Sequence, residues 1–298
     1  MKHRRQHSVP RCYLGAWADP SRPKGHAPFV WVFTKDGSSS RRKAPQNTFA
    51  TGEPYTVQLP DGSRDLRIEH GLATVENEFA RIRRKILDRH AFLSSEDKLW
   101  LSLFVASMNG RTDAMFDLVR RVHGSLLQDA QALQRELDQA SPERRKEMVK
   151  ELTPRLPSSD DDGMTIKDLQ SIVNSPQKLL FSTIVSTESP ILNGMGIAVL
   201  DAPEGSSFIT SDTPVVWVDP TAHARAPGVR HFGLGSRSVE VTMPISPKQS
   251  VFFAHQPNLS GYRQVSRELV EEINRRTRHL CNKEFVASSN ARHEHWFT

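Results

Sequence analysis

The stretch Ser207-Phe208-Ile209-Thr210-Ser211-Asp212-Thr213-Pro214-Val215-Val216-Trp217-Val218 constrains the chain most, because it joins two apolar runs through a proline. Pro214 has no N–H to give to a ladder and biases Thr213 towards extended backbone. The stretch therefore reads as a buried strand ending at Ser211-Asp212, a turn at Thr213-Pro214, and a second apolar strand. Asp212 is expected at the end of a core strand, where a rigid element holds a polar group more accurately than a loop.

Upstream, the apolar period is helical. Ile68, Leu72, Val75, Phe79, Ile82 and Ile86 recur at three- and four-residue steps and predict a helix over 66–86. Glu69 and Glu76 lie at the border of that seam, seven residues apart and on one side. A half-buried carboxylate needs a partner or a metal, and the competing reading is a surface pair facing Arg83 and Lys85. Ser94-Ser95-Glu96-Asp97 resembles a capping box with acids in the first turn, and opens a long helix running past Arg111 to Val122. Arg111 falls on the apolar side of that helix. A guanidinium there keeps its charge, so it must meet a carboxylate or an anionic ligand, and Glu69, Glu76 and Asp212 are the candidates.

The helix is expected to continue beyond residue 124 and to be followed by another that starts at Ser141-Pro142, with the serine as N-cap and the proline at the first helical position. Its charge and weak apolar seam predict a protruding helical hairpin. Residues 154–163, with Asp160, Asp161 and Asp162, read as an acidic loop that lacks the spaced ligands of a calcium site. A further helix from Thr165 to Val185 is divided at Pro176. Strands are predicted at 196–200, 239–245 and 250–254, and a last helix at 265–285.

Before residue 60 the chain reads as a β-rich region. Pro10 suits the first turn of a short helix that aligns Tyr13, Leu14 and Trp17. Phe29 to Phe33 is a strand, Lys35-Asp36-Gly37 a hairpin turn, and Arg41-Arg42-Lys43 a solvated arm. A short edge strand follows over 53–57, closed by Pro60-Asp61-Gly62. Asn47 precedes it, with turn chemistry or a ligand-contacting amide as its two roles.

These elements predict an α+β fold: long antiparallel helices against a mainly antiparallel sheet, with a small N-terminal β-hairpin region and the helical hairpin. The expectation is a single domain over 1–298, made of a β-rich part (7–60), a helical part (64–188), the sheet (196–255) and a C-terminal helix (264–285). The 298 residues are 37% hydrophobic and 25% charged, which is enough to bury a sizeable core. No apolar run reaches the ~20 residues of a membrane span. The basic start lacks an apolar stretch and cleavage site, so no signal peptide is expected and the compartment is read as cytoplasmic. Two cysteines, Cys12 and Cys281, support neither a zinc site nor a disulfide framework. A net charge of +6 favours polyanions only weakly. Gly233-Leu234-Gly235-Ser236 lacks the third glycine of a dinucleotide site, and His293 and His295 sit in a terminal segment that does not argue for a metal.

His7-x-x-Pro10-x-x-Tyr13-Leu14-x-x-Trp17-Ala18, Val30-Trp31-Val32-Phe33-x-Lys35, Asn47-x-x-Ala50, Glu69 with Glu76, Arg111, Phe208-Ile209-Thr210-Ser211-Asp212-x-Pro214 and Met243-Pro244-Ile245-Ser246-Pro247 follow one another in order. Together they resemble the mainly bacterial family known as domain of unknown function 4238, from His7 to about Asn282. Trp17 stands where that family usually has Phe, and Thr213 where it often has Asn. The resemblance implies that His7, Asn47, Glu69, Glu76, Arg111 and Asp212 belong to one site, and implies no activity.

Two functions fit such a site. One is a hydrolase of nuclease type acting on nucleic acid or nucleotide, with Glu69, Glu76 and Asp212 holding Mg²⁺ or Mn²⁺, His7 as general base or ligand, and Arg111 on the phosphate. The other is a binding or sensor module in which Arg111 is clamped by an acid in a buried network, with His7 and Asn47 fixing the N-terminal segment.

Overall fold

The computed structural model describes residues 6–51, 57–58, 64–152, 164–225 and 233–297. The chain divides into two compact units, Met1–Ala114 with Leu180–Thr298, and Met115–Leu179. The division falls inside the part expected to be one continuous helical region.

In the first unit β1 (Gln6–His7) leads into α1 (Arg11–Leu14), with Pro10 extended at its N-cap. A 3₁₀ turn, Gly15–Trp17, continues the one-sided seam, so that Tyr13, Leu14 and Trp17 are all fully buried. Their polar tips bolt this segment to distant chain: Tyr13 Oη lies 2.6 Å from Thr210 Oγ1 and donates to Pro244 O, and Trp17 Nε1 donates to Phe208 O at 2.9 Å. The hairpin of β2 (Val30–Thr34) and β3 (Ser40–Lys43) turns at Gly37, whose φ of +68° favours glycine. β4 (Ala50–Thr51) returns to pair with β1, and β5 (Val57–Gln58) pairs with β6 (Arg64–Asp65). Of the edge strand expected over 53–57, only Val57 is among the described residues, and its closing turn lies outside them.

The seam that begins at Ile68 forms α2 (Arg67–Lys85), and the capping box of Ser94 and Asp97 starts α3 (Ser95–Gly110). These helices face each other through Phe79 and Phe104, whose rings stack at 3.8 Å. The single long helix expected past Arg111 is instead broken there. Arg111 leaves helical geometry at φ −99°, ψ 12°, Thr112 Oγ1 caps Asn109 O at 3.1 Å, and α4 (Asp113–Gln139) starts afresh.

The second unit holds most of α4, α5 (Pro142–Leu152), α6 (Ile166–Asn174) and the start of α7 (Pro176–Thr183). Ser141 caps α5, Thr165 and Asp168 form a capping box on α6, and Pro176 opens α7, all at the positions the sequence marks. The acidic segment 154–163 lies outside the described residues.

Back in the first unit, a five-residue π-helical stretch, Ile184–Glu188, runs into α8 (Ser189–Gly194). Then follow β7 (Gly196–Asp201), β8 (Thr210–Ser211), β9 (Val216–Val218), β10 (Glu240–Pro244), β11 (Gln249–Ala254), β12 (Tyr262–Gln264), α9 (Arg267–Leu280) and β13 (Glu284–Ala287). Among the described residues the strands make a five-stranded sheet in the order β12-β7-β11-β10-β9 and a four-stranded sheet in the order β3-β2-β13-β8. Only the β12–β7 pairing in the larger sheet is parallel, and the smaller sheet is antiparallel throughout.

The structure corrects two expectations in this unit. The Ser207–Val218 stretch does turn at Thr213-Pro214, but its two strands join different sheets. The last helix ends at Leu280 rather than Phe285, because Cys281 turns extended (φ −61°, ψ 147°) and the apolar Phe285-Val286 run enters a strand. The N-terminal hairpin is present as expected, and β13 pairs with β2 to extend it into the smaller sheet.

Candidate functional site

Six residues were singled out by sequence, and the structure brings three of them together. Glu76, on the border of the α2 seam, accepts from Arg111 Nη1 at 2.7 Å through Oε1, while Arg111 Nη2 donates to Met108 Sδ at 3.0 Å. The Arg111 side chain is 2% exposed and that of Glu76 31%. Burying a guanidinium is expensive unless an acid faces it, and the break between α3 and α4 lets this one reach across to α2. His7, half-buried in β1, shares the electrostatic field of both: burial pulls its pKa below the usual value, against the Thr48 backbone and Glu76, while Arg111 pulls further down.

The same field reaches Cys12, whose carbonyl accepts from Arg83 Nη1 at 2.9 Å. Burial, followed by Glu76, pushes its thiol up to about 11, so it holds no thiolate near neutrality.

Asp212 and Asn47 are engaged elsewhere. Asp212 accepts from the N–H groups of Asn282, Lys283 and Glu284 at 2.8, 2.7 and 3.1 Å, which ties the end of β8 to the start of β13. Burial nevertheless raises its pKa, with those three bonds acting in the opposite direction. Asn47 closes a 3₁₀ turn with its N–H on Ala44 O at 2.8 Å and is exposed. Glu69 is half-buried in the first turn of α2, two turns before Glu76. Among the described residues no group of three His, Cys, Asp or Glu side chains is placed to hold a metal ion, Glu69, Glu76 and Asp212 included. Those three carboxylates do not fit a shared cation.

Two polar features carried no sequence signal. Glu188, 8% exposed at the end of the π-helical stretch, accepts from Asn109 Nδ2 at 3.2 and 3.1 Å, and its burial pushes its pKa up. Nothing in sequence period marks a π turn, since it inserts one residue into an apolar seam that still reads as helical.

The second feature is a cavity of about 750 Å³ bordered by the N-terminal segment at Ala16, Ala18 and Pro20. Arg83, His90, Asp201, Lys248 and Gln249 also line it. His90 Nε2 and Asp201 Oδ2 are 3.0 Å apart, and Gln249 Nε2 donates to Asp201 Oδ1 at 2.9 Å and to Leu87 O at 3.2 Å. His90 has left-handed backbone, φ +52° and ψ +33°, at the close of the turn after α2. Glycine usually holds that position, and an L side chain there costs on the order of 1–2 kcal/mol. The conformation is fixed from outside: the Tyr262 hydroxyl is shared between Ile86 O at 3.1 Å and Ala91 O at 2.9 Å, and its ring packs against the imidazole at a tilt of 42°, centroids 4.6 Å apart. The Arg83 guanidinium donates to the Cys12 carbonyl and lies over the Phe79 ring.

Among the described residues no helix is long and apolar enough to cross a membrane. Comparison with curated proteins and with solved structures finds no match. The family model described as "Protein of unknown function (DUF4238)" matches residues 5–292, nearly the whole chain, and the chain belongs to that family.

Proposed function

We propose that this protein is a cytoplasmic, non-catalytic binding or sensor module, in which Arg111, Glu76 and His7 form a structural clamp and the polar cavity beside the N-terminal segment receives the ligand. The single observation that carries the reading is the burial of Arg111. At 2% exposure its guanidinium is committed to Glu76 at 2.7 Å and is withdrawn from any substrate in solution. The clamp fixes α2 against the end of α3, while α1 is bolted by Tyr13 and Trp17 to the strands beyond residue 207. The cavity borders the chain between these two anchorages.

A metal-dependent hydrolase of nucleic acid or nucleotide would need Glu76 to share a cation with other acids. The Asp212 carboxylate is instead engaged by three backbone N–H groups. Thermal unfolding of wild type, Glu76→Ala and Asp212→Ala with and without Mn²⁺ separates the two functions. The module predicts lower midpoints in both variants and no response to Mn²⁺ in any. A stabilisation by Mn²⁺ that both variants lose, together with Mn²⁺-dependent cleavage of a nucleotide by wild type, would establish the hydrolase instead.

A further inference from the structure

We propose that the face of the smaller sheet carrying Trp31 and Phe297 binds single-stranded nucleic acid, with Arg42 and Arg292 taking phosphates and the two rings stacking on bases. None of the clamp or cavity residues takes part, so the proposal goes beyond the module reading.

Charge distribution is the first observation. The first fifty residues hold ten Lys and Arg against two Asp and Glu, whereas the rest of the chain holds more acids than bases. The net charge of +6 therefore originates in the part that forms the hairpin, where β3 is the edge strand of its sheet. Arg22 and Lys24 stand on an exposed loop whose base is closed beside Arg42, by Asp19 N–H on Phe29 O at 2.9 Å and Trp31 Nε1 on Asp19 Oδ2 at 2.7 Å. Over residues 19–43 six bases face two acids, and Glu284 on the neighbouring strand is taken by Arg41. Asp19 is buried beneath Trp31 and offsets Arg42 in part, and Asp36 is held in the hairpin turn by Thr34 and Ser38. Such a surplus on a sheet edge favours a polyanion.

The placement of the cations is the second observation. Arg42, the cross-strand partner of Trp31, lies over Phe29 and Trp31, 4.9 and 5.0 Å from their centroids. At the turn end of the hairpin Phe297 has Arg278 at 5.0 Å and Arg292 at 4.5 Å, and packs against Gly37, where a Cβ would collide with it. Glu294, exposed three residues before Phe297, is the one acid of that turn. Trp31 and Phe297 border the same apolar cluster of Phe33, Ile209, Phe285, Ala287 and Trp296, which puts both ring sites on one face. Arg42 and Arg292 are exposed and make no side-chain hydrogen bond or ion pair among the described residues, so their N–H groups are open to phosphate. Aromatic rings beside guanidinium groups are what unpaired bases stack on, and a duplex hides those base faces.

Spacing is the third. From the strand rise the two ring sites lie on the order of 10–15 Å apart, which a few nucleotides bridge. Between them Ser40 Oγ donates to Asn290 Oδ1 at 2.6 Å. A polar floor of this kind suits sugar and phosphate rather than lipid tails.

The test is fluorescence anisotropy of a labelled single-stranded oligonucleotide, about 12 nucleotides long, titrated with the full chain in EDTA so that binding is read without metal-dependent cleavage. The same sequence as a duplex and phosphatidylserine vesicles serve as competitors. The variants are Arg42→Gln with Arg292→Gln and, as a control for charge elsewhere, Lys146→Gln with Lys150→Gln on α5; all four positions are exposed. Wild type should bind with micromolar Kd at ~50 mM salt, and the duplex should compete at least ~5-fold less well. The Arg42, Arg292 pair should raise Kd at least ~10-fold and reduce the slope of log K against log salt by about 1.4, while the control stays within ~2-fold of wild type. Should that pair fail to fold, Arg42→Gln alone decides, with a Kd raised at least ~3-fold. No binding by wild type, an unchanged Kd in the folded variant, an equal loss in the control, or a duplex bound as tightly overturns the proposal. Vesicles that displace the oligonucleotide as well as unlabelled oligonucleotide does would overturn it in favour of a membrane surface. The Mn²⁺ comparison of the Glu76 and Asp212 variants is unaffected by any of these outcomes, so this surface and the module reading can fail separately.

Discussion

Glu76 and Arg111, 35 positions apart in sequence, meet at 2.7 Å between Oε1 and Nη1, with the arginine side chain 2% exposed. The pair joins α2 to the end of α3 through a charge-assisted bond, and its worth depends on which half is removed.

Glu76→Ala leaves a buried guanidinium without this acid and should cost roughly 3 kcal/mol, at the low end for a buried pair because Glu76 is partly solvated. The double variant Glu76→Leu with Arg111→Met replaces both charges by apolar groups and should recover most of that loss. Thermal unfolding of the two variants checks this, and a double variant less stable than Glu76→Ala would mean that the pair is needed for more than its charge balance.

His7 gives a pH dependence whose sign follows from its environment. Burial lowers its pKa from 6.5, so the folded state prefers the neutral ring. Its contribution is complete above 6.5 and is lost as pH falls through the lower folded value. Wild type should therefore lose more stability between pH 7 and pH 5 than His7→Gln does. Parallel curves for the two proteins would contradict the burial of the imidazole.

Gly110 ends α3 where the π-helical stretch crosses it. A Cβ added there would lie 2.4 Å from Ile184 Cδ1 and 2.7 Å from Ile184 Cγ1. Gly110→Ala should cost about 1–3 kcal/mol through overpacking, and Ile184→Ala in the same chain should relieve the clash. Comparison of the double variant with Ile184→Ala alone measures it: if the added methyl costs as much without the isoleucine as with it, the close approach is not the cause.

Both thiols should be inert. Burial pushes Cys12 up to about 11 and Cys281, near the carboxylate of Asp212, up to about 12. Native protein at pH 8 should react with a disulfide reagent far more slowly than unfolded protein, at both positions. A fast native reaction at either one would reverse that assignment.

Much of the local structure was legible in the residues. The seam from Ile68 to Ile86 gave α2, the capping box at Ser94 gave the start of α3, and Ser141-Pro142 and Pro176 opened helices where their backbone chemistry predicts. Those signals act over one or two turns, so a linear reading captures them. The end of α3 escaped it, because the apolar period runs on through Arg111 and only the reach to Glu76 and the packing of Gly110 on Ile184 interrupt the backbone. β13 escaped for a similar reason, since Phe285 continues the α9 seam at helical spacing although it belongs to a strand.

Sequence alone determined the kinds of element, the family, and the rule that a buried Arg111 must face an acid, because these follow from side-chain chemistry and short-range spacing. Tertiary structure decided which acid it would be. Glu76 and Asp212 were equivalent candidates on paper, and folding gave one to the guanidinium and the other to the backbone N–H groups of residues 282–284. It also joined His90 to Asp201 across 111 positions, through a left-handed turn that no periodicity announces. Pairings of this range are fixed by how sheets and helices close on one another, and that closure is a property of the whole packed chain rather than of any window along it.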